Sequence, residues 1–160
     1  MKPSSGSPQT TEAGLDPPAA LLVSTFYVKG ALYALDTAEV EEVVRPRKTT
    51  RVAHSPAYVL GIMNLRGSIV TVLDLAQILR LGKTPASDDT RLYIVSDGDG
   101  TAGLLVDRAA EVIELDAAAL EPPPAGVCGA ESRFLRGIAR AEGRLVTVLK
   151  ATAVLATESV

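Results

Sequence analysis

The side chains able to do chemistry are few and scattered. Arg66 lies between an apolar run and Gly67, and Glu42 lies in the apolar segment Val40-Glu41-Glu42-Val43-Val44. Strand alternation sets Glu41 and Glu42 on opposite faces, so one of them must face the interior or find a partner, and Arg66 carries the matching charge. The lone histidine, His54, has no serine or cysteine nucleophile at suggestive spacing and reads as a loop residue. Asp74 and Asp107 end apolar runs before turns, where a carboxylate accepts from free backbone N–H groups; capping explains them better than an acid/base pair does. Arg45, Arg47, Lys48 and Arg51 put four cations into seven residues, which could meet phosphate but reads first as a solvated loop. The single cysteine, Cys128, lies near Gly126 and Gly129 without an activating neighbour.

Composition excludes whole classes. One cysteine forbids an internal disulfide, and one histidine leaves no closed zinc site of the usual ligands, so no metal or cofactor is expected. A net charge of -3 and six aromatic residues argue against a broad nucleic-acid surface. No apolar run reaches the roughly 18 residues of a membrane span, and the start lacks the apolar centre of a secretory signal. The expectation is a cytoplasmic protein without direct membrane insertion whose partners are proteins.

The elements that must position these residues are written twice. Gly61 to Leu79, GIMNLRGSIVTVLDLAQIL, reappears 76 residues later as GIARAEGRLVTVLKATAVL from Gly137 to Leu155, identical at eight of 19 positions without a gap. The shared residues are strand and turn formers, whereas Asn64-Leu65-Arg66 at one tip faces Arg140-Ala141-Glu142 at the other. A charge is thus reversed on one scaffold, and function is expected where the copies disagree.

The whole chain reads as all-β with short helices. Residues 1–18 form a flexible tail of Pro, Ser, Gly and Thr, and residues 19–157 form the folded part, with repeat halves near 30–82 and 91–157. In the first copy the strands are LLVSTFYV, ALYAL after Lys29-Gly30, VEEVV after a turn at Asp36–Glu39, GIMNL after a turn starting at Pro56, and SIVTVL. A helix LAQILRLG follows, stopping at Gly82. The second copy repeats the order with RLYIVS, TAGLLV, a turn at Asp107–Ala110, EVIEL, a proline-rich loop 121–133, LRGIARA, RLVTVL and a last helix at Ala151–Leu155. Five short strands per copy with tight turns indicate a small closed or half-closed barrel, twice.

From Leu22 to Leu155 the chain resembles the CheW family of bacterial chemotaxis coupling proteins. The resemblance is carried by Val40-Glu41-Glu42-Val43, by the run from Pro56 to Gly67, by Val72-Leu73-Asp74-Leu75, by Gly103-Leu104-Leu105-Val106-Asp107 with Glu111-Val112, and by the hairpin from Leu135-Arg136-Gly137 to Leu149. It implies two five-stranded SH3-like β-barrel subdomains with a groove between them. It also implies a non-catalytic adaptor joining the cytoplasmic tip of methyl-accepting chemoreceptors to the regulatory domain of the histidine kinase CheA. Val40, Glu42, Gly61, Asn64 and Arg66 fall where the family lines the receptor groove or the kinase-facing surface. Thr71 stands where many members carry proline, and Lys150 where an acid usually ends the strand. The rival readings are an adaptor of a pilus or surface-sensing pathway, a small-barrel RNA-binding protein motivated by Arg45–Arg51, and an enzyme built on Asp74 and Asp107.

Overall fold

A computed structural model describes residues 20–123 and 132–157. The tail before Pro18 and Cys128 lie outside the described residues. Ten strands alternate with two short helices: β1 Ala20–Val28, β2 Ala31–Asp36, β3 Val40–Val44, β4 Val59–Leu65, β5 Ser68–Asp74, α1 Leu75–Ile78, β6 Arg91–Ser96, β7 Thr101–Val106, β8 Arg108–Asp116, β9 Leu135–Ala141, β10 Arg144–Leu149 and α2 Ala151–Ala156. The repeat is visible as β4-β5-α1 against β9-β10-α2. Both tips turn through consecutive positive φ angles, Arg66 at 53° and Gly67 at 88°, Glu142 at 52° and Gly143 at 78°. Two such residues in a row suit the mirror-image hairpin turns whose twist matches the flanking strands, and glycine in the second place adopts that φ at no steric cost.

The sheets are not the two halves of the sequence. One runs β8-β1-β2-β10-β9 and the other β3-β6-β7-β5-β4, so the copies exchange their first two strands. The exchange takes place at two short links. β2 and β3 are joined by one 3-10 turn, Thr37–Glu39, capped by Asp36, whose carboxylate accepts from the Ala38 N–H at 2.9 Å. β7 and β8 are joined by Asp107 alone, where a turn through Ala110 was expected; its N–H donates to the Tyr27 carbonyl at 3.0 Å and its carboxylate accepts from the Lys29 N–H at 2.7 Å. Each link delivers the next strand to the other sheet, β3 beside β6 and β8 beside β1. The exchange creates one parallel pair per sheet, β2 with β10 and β5 with β7.

Neither sheet closes through its named strands. Instead, the loops after the edge strands β3 and β8 bridge the gap: Thr50 exchanges two backbone hydrogen bonds with Ile62, both 2.8 Å, and Glu121 does the same with Ile138 at 2.9 and 2.8 Å. These are half-closed barrels. The glycine before each isoleucine makes room for the bridge. Gly61 is buried at φ +143°, and a Cβ there would press into the Thr50 carbonyl, 2.8 Å from its carbon; at Gly137 the Glu121 carbonyl oxygen would lie 3.1 Å away.

Burial follows strand parity. Leu21, Val23, Leu32, Val146 and Val148 fill one sheet's interior, and Met63, Leu65, Val70, Val72, Leu92 and Ile94 fill the other's. A third and larger cluster joins the sheets: Phe26, Leu35, Leu73, Tyr93 and Leu104 pack with both helices. Phe26 and Tyr93 meet with ring centroids 4.7 Å apart, and the Tyr93 hydroxyl donates to the Thr25 carbonyl at 2.9 Å. Burial pushes the Tyr93 phenol above its ordinary range. The shared core holds the two subdomains in one orientation, so a surface spanning both has fixed geometry. No described helix is long and apolar enough to cross a membrane.

Candidate functional site: the β4–β5 tip and its carboxylate partner

The first-copy tip is built locally. Asn64, next to last in β4, accepts from the Gly67 N–H through its side-chain oxygen at 2.9 Å, which fixes the turn that Arg66 and Gly67 make. Arg66 is held at positive φ with its guanidinium in solvent, its side chain 68% exposed. β3 supplies the other half. Its register on β6 slips between Val40 and Glu42, leaving Glu41 as the extra residue of a bulge. A bulge re-aims the side chains that follow it, and here Glu42 meets the tip.

Arg66 grips Glu42 with both arms. Nη2 donates to Oε1 at 2.8 Å, and Nη1 donates to Oε2. This two-pronged arrangement is one that arginine makes and lysine cannot. The hydrogen bond from Arg66 holds the Glu42 carboxyl below the usual carboxylate range; partial desolvation opposes this, and the charges of Arg66 and Arg47 add to it. The same contact raises the Arg66 guanidinium further. The pair rims a cleft of about 360 Å³ floored by Leu65, Val70 and Ile94 and flanked by Ile69, which is 64% exposed.

Three of the five sequence candidates, Glu42, Asn64 and Arg66, converge on this tip. Val40 is partly buried against the central core, and Gly61 lies buried beneath the Thr50 carbonyl, so its contribution is to hold the bridging loop in place. Ile69 was not singled out by the sequence reading. Its signal was parity: with Val70 and Val72 inward, Ile69 must point out, and its repeat partner Leu145 is likewise 53% exposed. At the second tip Glu142 replaces Arg66 on the same turn geometry, so the arginine–glutamate fork belongs to the first copy alone.

The remaining candidates resolve into structure. Asp74 is buried and accepts from the Ala76 N–H, the Gln77 amide, and both the N–H and hydroxyl of Thr84, as a helix cap and loop anchor. At the matching position Lys150 gives α2 no side-chain cap. His54 is exposed in a loop at φ 63°. Among the described residues no three metal-ligating side chains cluster. The basic-loop cations Arg45, Arg47, Lys48 and Arg51 are all exposed.

A tip held open beside a shallow cleft, with its charged pair in solvent, suits contact with another protein surface. A family profile described as the CheW-like domain matches residues 23–159. The chain is 34% identical to the chemotaxis protein CheW of Bacillus subtilis over 134 residues, 84% of this chain and 86% of that one. It is 32% identical to the chemotaxis protein CheW of Helicobacter pylori, over 81% of this chain and 78% of that one. The crystal structure of the scaffolding protein TtCheW from Thermoanaerobacter tengcongensis superposes with a TM-score of 0.77 at 34% identity, covering 88% of this chain and 91% of that chain. The chain therefore belongs to the CheW-like domain family and is a scaffold of chemotaxis signalling.

Proposed function

We propose that this scaffold joins the cytoplasmic tips of methyl-accepting chemoreceptors to the regulatory domain of a CheA-type histidine kinase, binding both and catalysing nothing. It acts in the cytoplasm and reaches the membrane only through the receptors. The observation that carries the reading is the Arg66–Glu42 fork on a turn preset by Asn64, standing in solvent beside the exposed Ile69. A solvent-exposed ion pair adds little to folding, so its geometry serves orientation toward a partner. The shared core between the sheets supplies the other requirement: two partners held on one rigid body keep a fixed relation to each other.

The test is a three-component binding experiment with a receptor-tip fragment and the kinase regulatory domain. The chain is expected to bind each alone and to bring the two into one sedimenting complex that does not form without it. Binding of only one partner, or mutually exclusive binding, overturns the proposal.

A further inference from the structure

The basic loop has no part in the tip described above. It leaves β3 at Val44, carries Arg45, Arg47, Lys48 and Arg51, and is pinned again where Thr50 bridges to Ile62. Five residues between two anchored points, one of them Pro46 with its fixed φ, cannot wander far. The four cations are exposed, and no ion pair engages them among the described residues. Apolar side chains stand among them: Val43 is 42% and Val52 43% exposed, on either side of the loop. Close to the loop, Arg47 lies near enough to Glu42 to help depress that carboxyl.

Cations set among apolar side chains can recognise two kinds of anion, a polyphosphate chain or a protein segment rich in carboxylates. The molecule disfavours the first. All six aromatic rings are buried or half-buried, so no exposed ring offers a base a stacking platform. The exposed Glu41 and the Glu42 carboxylate stand next to the cations, where a continuous run of phosphates would meet them. Discrete carboxylates spaced by apolar side chains fit better: acids reach the cations, and apolar residues cover Val43 and Val52.

We infer that the loop from Arg45 to Arg51, with Val43 and Val52, is a docking surface for an acidic, apolar-interleaved protein segment. It speeds the capture of that segment by electrostatic attraction, because exposed charges change association rate and salt dependence more than they change dissociation. The inference rests on the proposed function only in taking the partner to be protein.

The test titrates the full chain with three probes: a labelled peptide alternating glutamate and leucine, its glutamine-for-glutamate counterpart, and a single-stranded oligouridylate of equal charge. The acidic peptide is expected to bind, to weaken as salt rises, and to bind about tenfold less tightly to the Arg47→Gln/Lys48→Gln variant, while the glutamine peptide binds at least about tenfold less tightly to the wild type. Thermal melts of the variant should match the wild type, since the replaced side chains are solvated. The inference is overturned if oligouridylate binds as tightly as the acidic peptide, or if the double variant keeps full peptide affinity. It is equally overturned if sedimentation shows the wild-type chain self-associating through the loop, which would make a second copy the occupant. No receptor or kinase is present in these titrations, so their failure leaves the three-component test standing, and the reverse holds too.

Discussion

Arg66 and Glu42, 24 residues apart in sequence, are locked face to face, with Nη2 of the guanidinium donating to Oε1 at 2.8 Å and Nη1 to Oε2. Two separate devices bring them together, a bulge in β3 and an asparagine-latched turn after β4.

The first prediction concerns that pair. Arg66→Glu sets two carboxylates face to face and should weaken binding of the receptor-tip fragment or the kinase domain about tenfold or more, with Arg66→Lys intermediate because it loses the fork. Melting temperature should change little, since both groups are solvated. The Glu42 carboxyl, followed by NMR, should titrate below its ordinary value in the wild type and return toward it in the variants. The sign follows from the depressed folded-state pKa: the contact is intact above the unfolded carboxylate range and is lost as pH falls through the folded midpoint. Wild-type binding by Arg66→Glu, or its unfolding, would reduce Arg66 to an ordinary turn residue.

Gly61→Ala should be severely destabilising. The new methyl group would collide with the Thr50 carbonyl while the backbone holds φ at +143°, two separate penalties that together cost about 2–5 kcal/mol. Gly137→Ala meets its bridge at 3.1 Å without positive φ and should cost distinctly less. Urea denaturation of both variants checks the order; equal losses would show that φ at Gly61 is not the discriminating feature.

Asp74 and Lys150 hold matching positions with opposite consequences for the helices they start. Asp74→Ala strips four donors of their acceptor in a buried setting and should cost about 2–4 kcal/mol. Lys150→Asp gives α2 the missing cap and should add about 0.5–1 kcal/mol. Thermal melts decide both, and a destabilised Lys150→Asp would show that the cap geometry at α2 does not mirror that at α1.

Because the copies exchange strands, neither half is a folding unit. Fragments 1–82 and 83–160 should each lack cooperative melting, for each would hold only two or three strands of either sheet. Mixed, they should reconstitute a sheet-rich complex with one transition by circular dichroism. A half that melts cooperatively alone would mean that its strands pair differently when separated.

Much of this molecule was written in its linear order. Strand parity and glycine turns placed the strands: SIVTVL became β5 and RLVTVL became β10, because inward Val70 and Val72, Val146 and Val148 must share a face. The doubled hairpin was legible because turns with two positive φ angles accept few residue types, and Arg66-Gly67 and Glu142-Gly143 satisfy the same local rule. The capping role of Asp74 was legible for the same reason, as a short-range hydrogen bond from the Ala76 N–H, whereas Asp107 accepts from the Lys29 N–H, 78 residues away, a contact that no local rule announces.

Tertiary structure decided what local rules leave free. A strand's pattern says which face is buried but not which neighbour it takes, so the repeat suggested two barrels of one half each, and only tertiary packing sent β3 and β8, beyond the links at Thr37–Glu39 and Asp107, into the opposite sheets. Gly61 read from sequence as part of a binding motif, and the space its missing Cβ leaves became apparent once the Thr50 backbone lay across it. Glu42 read as an acid needing a partner somewhere; the bulge at Glu41 supplied the direction. Register and strand exchange are settled by the packing of segments distant in sequence, and it is those choices that set Arg66 against Glu42 and left the basic loop in solvent.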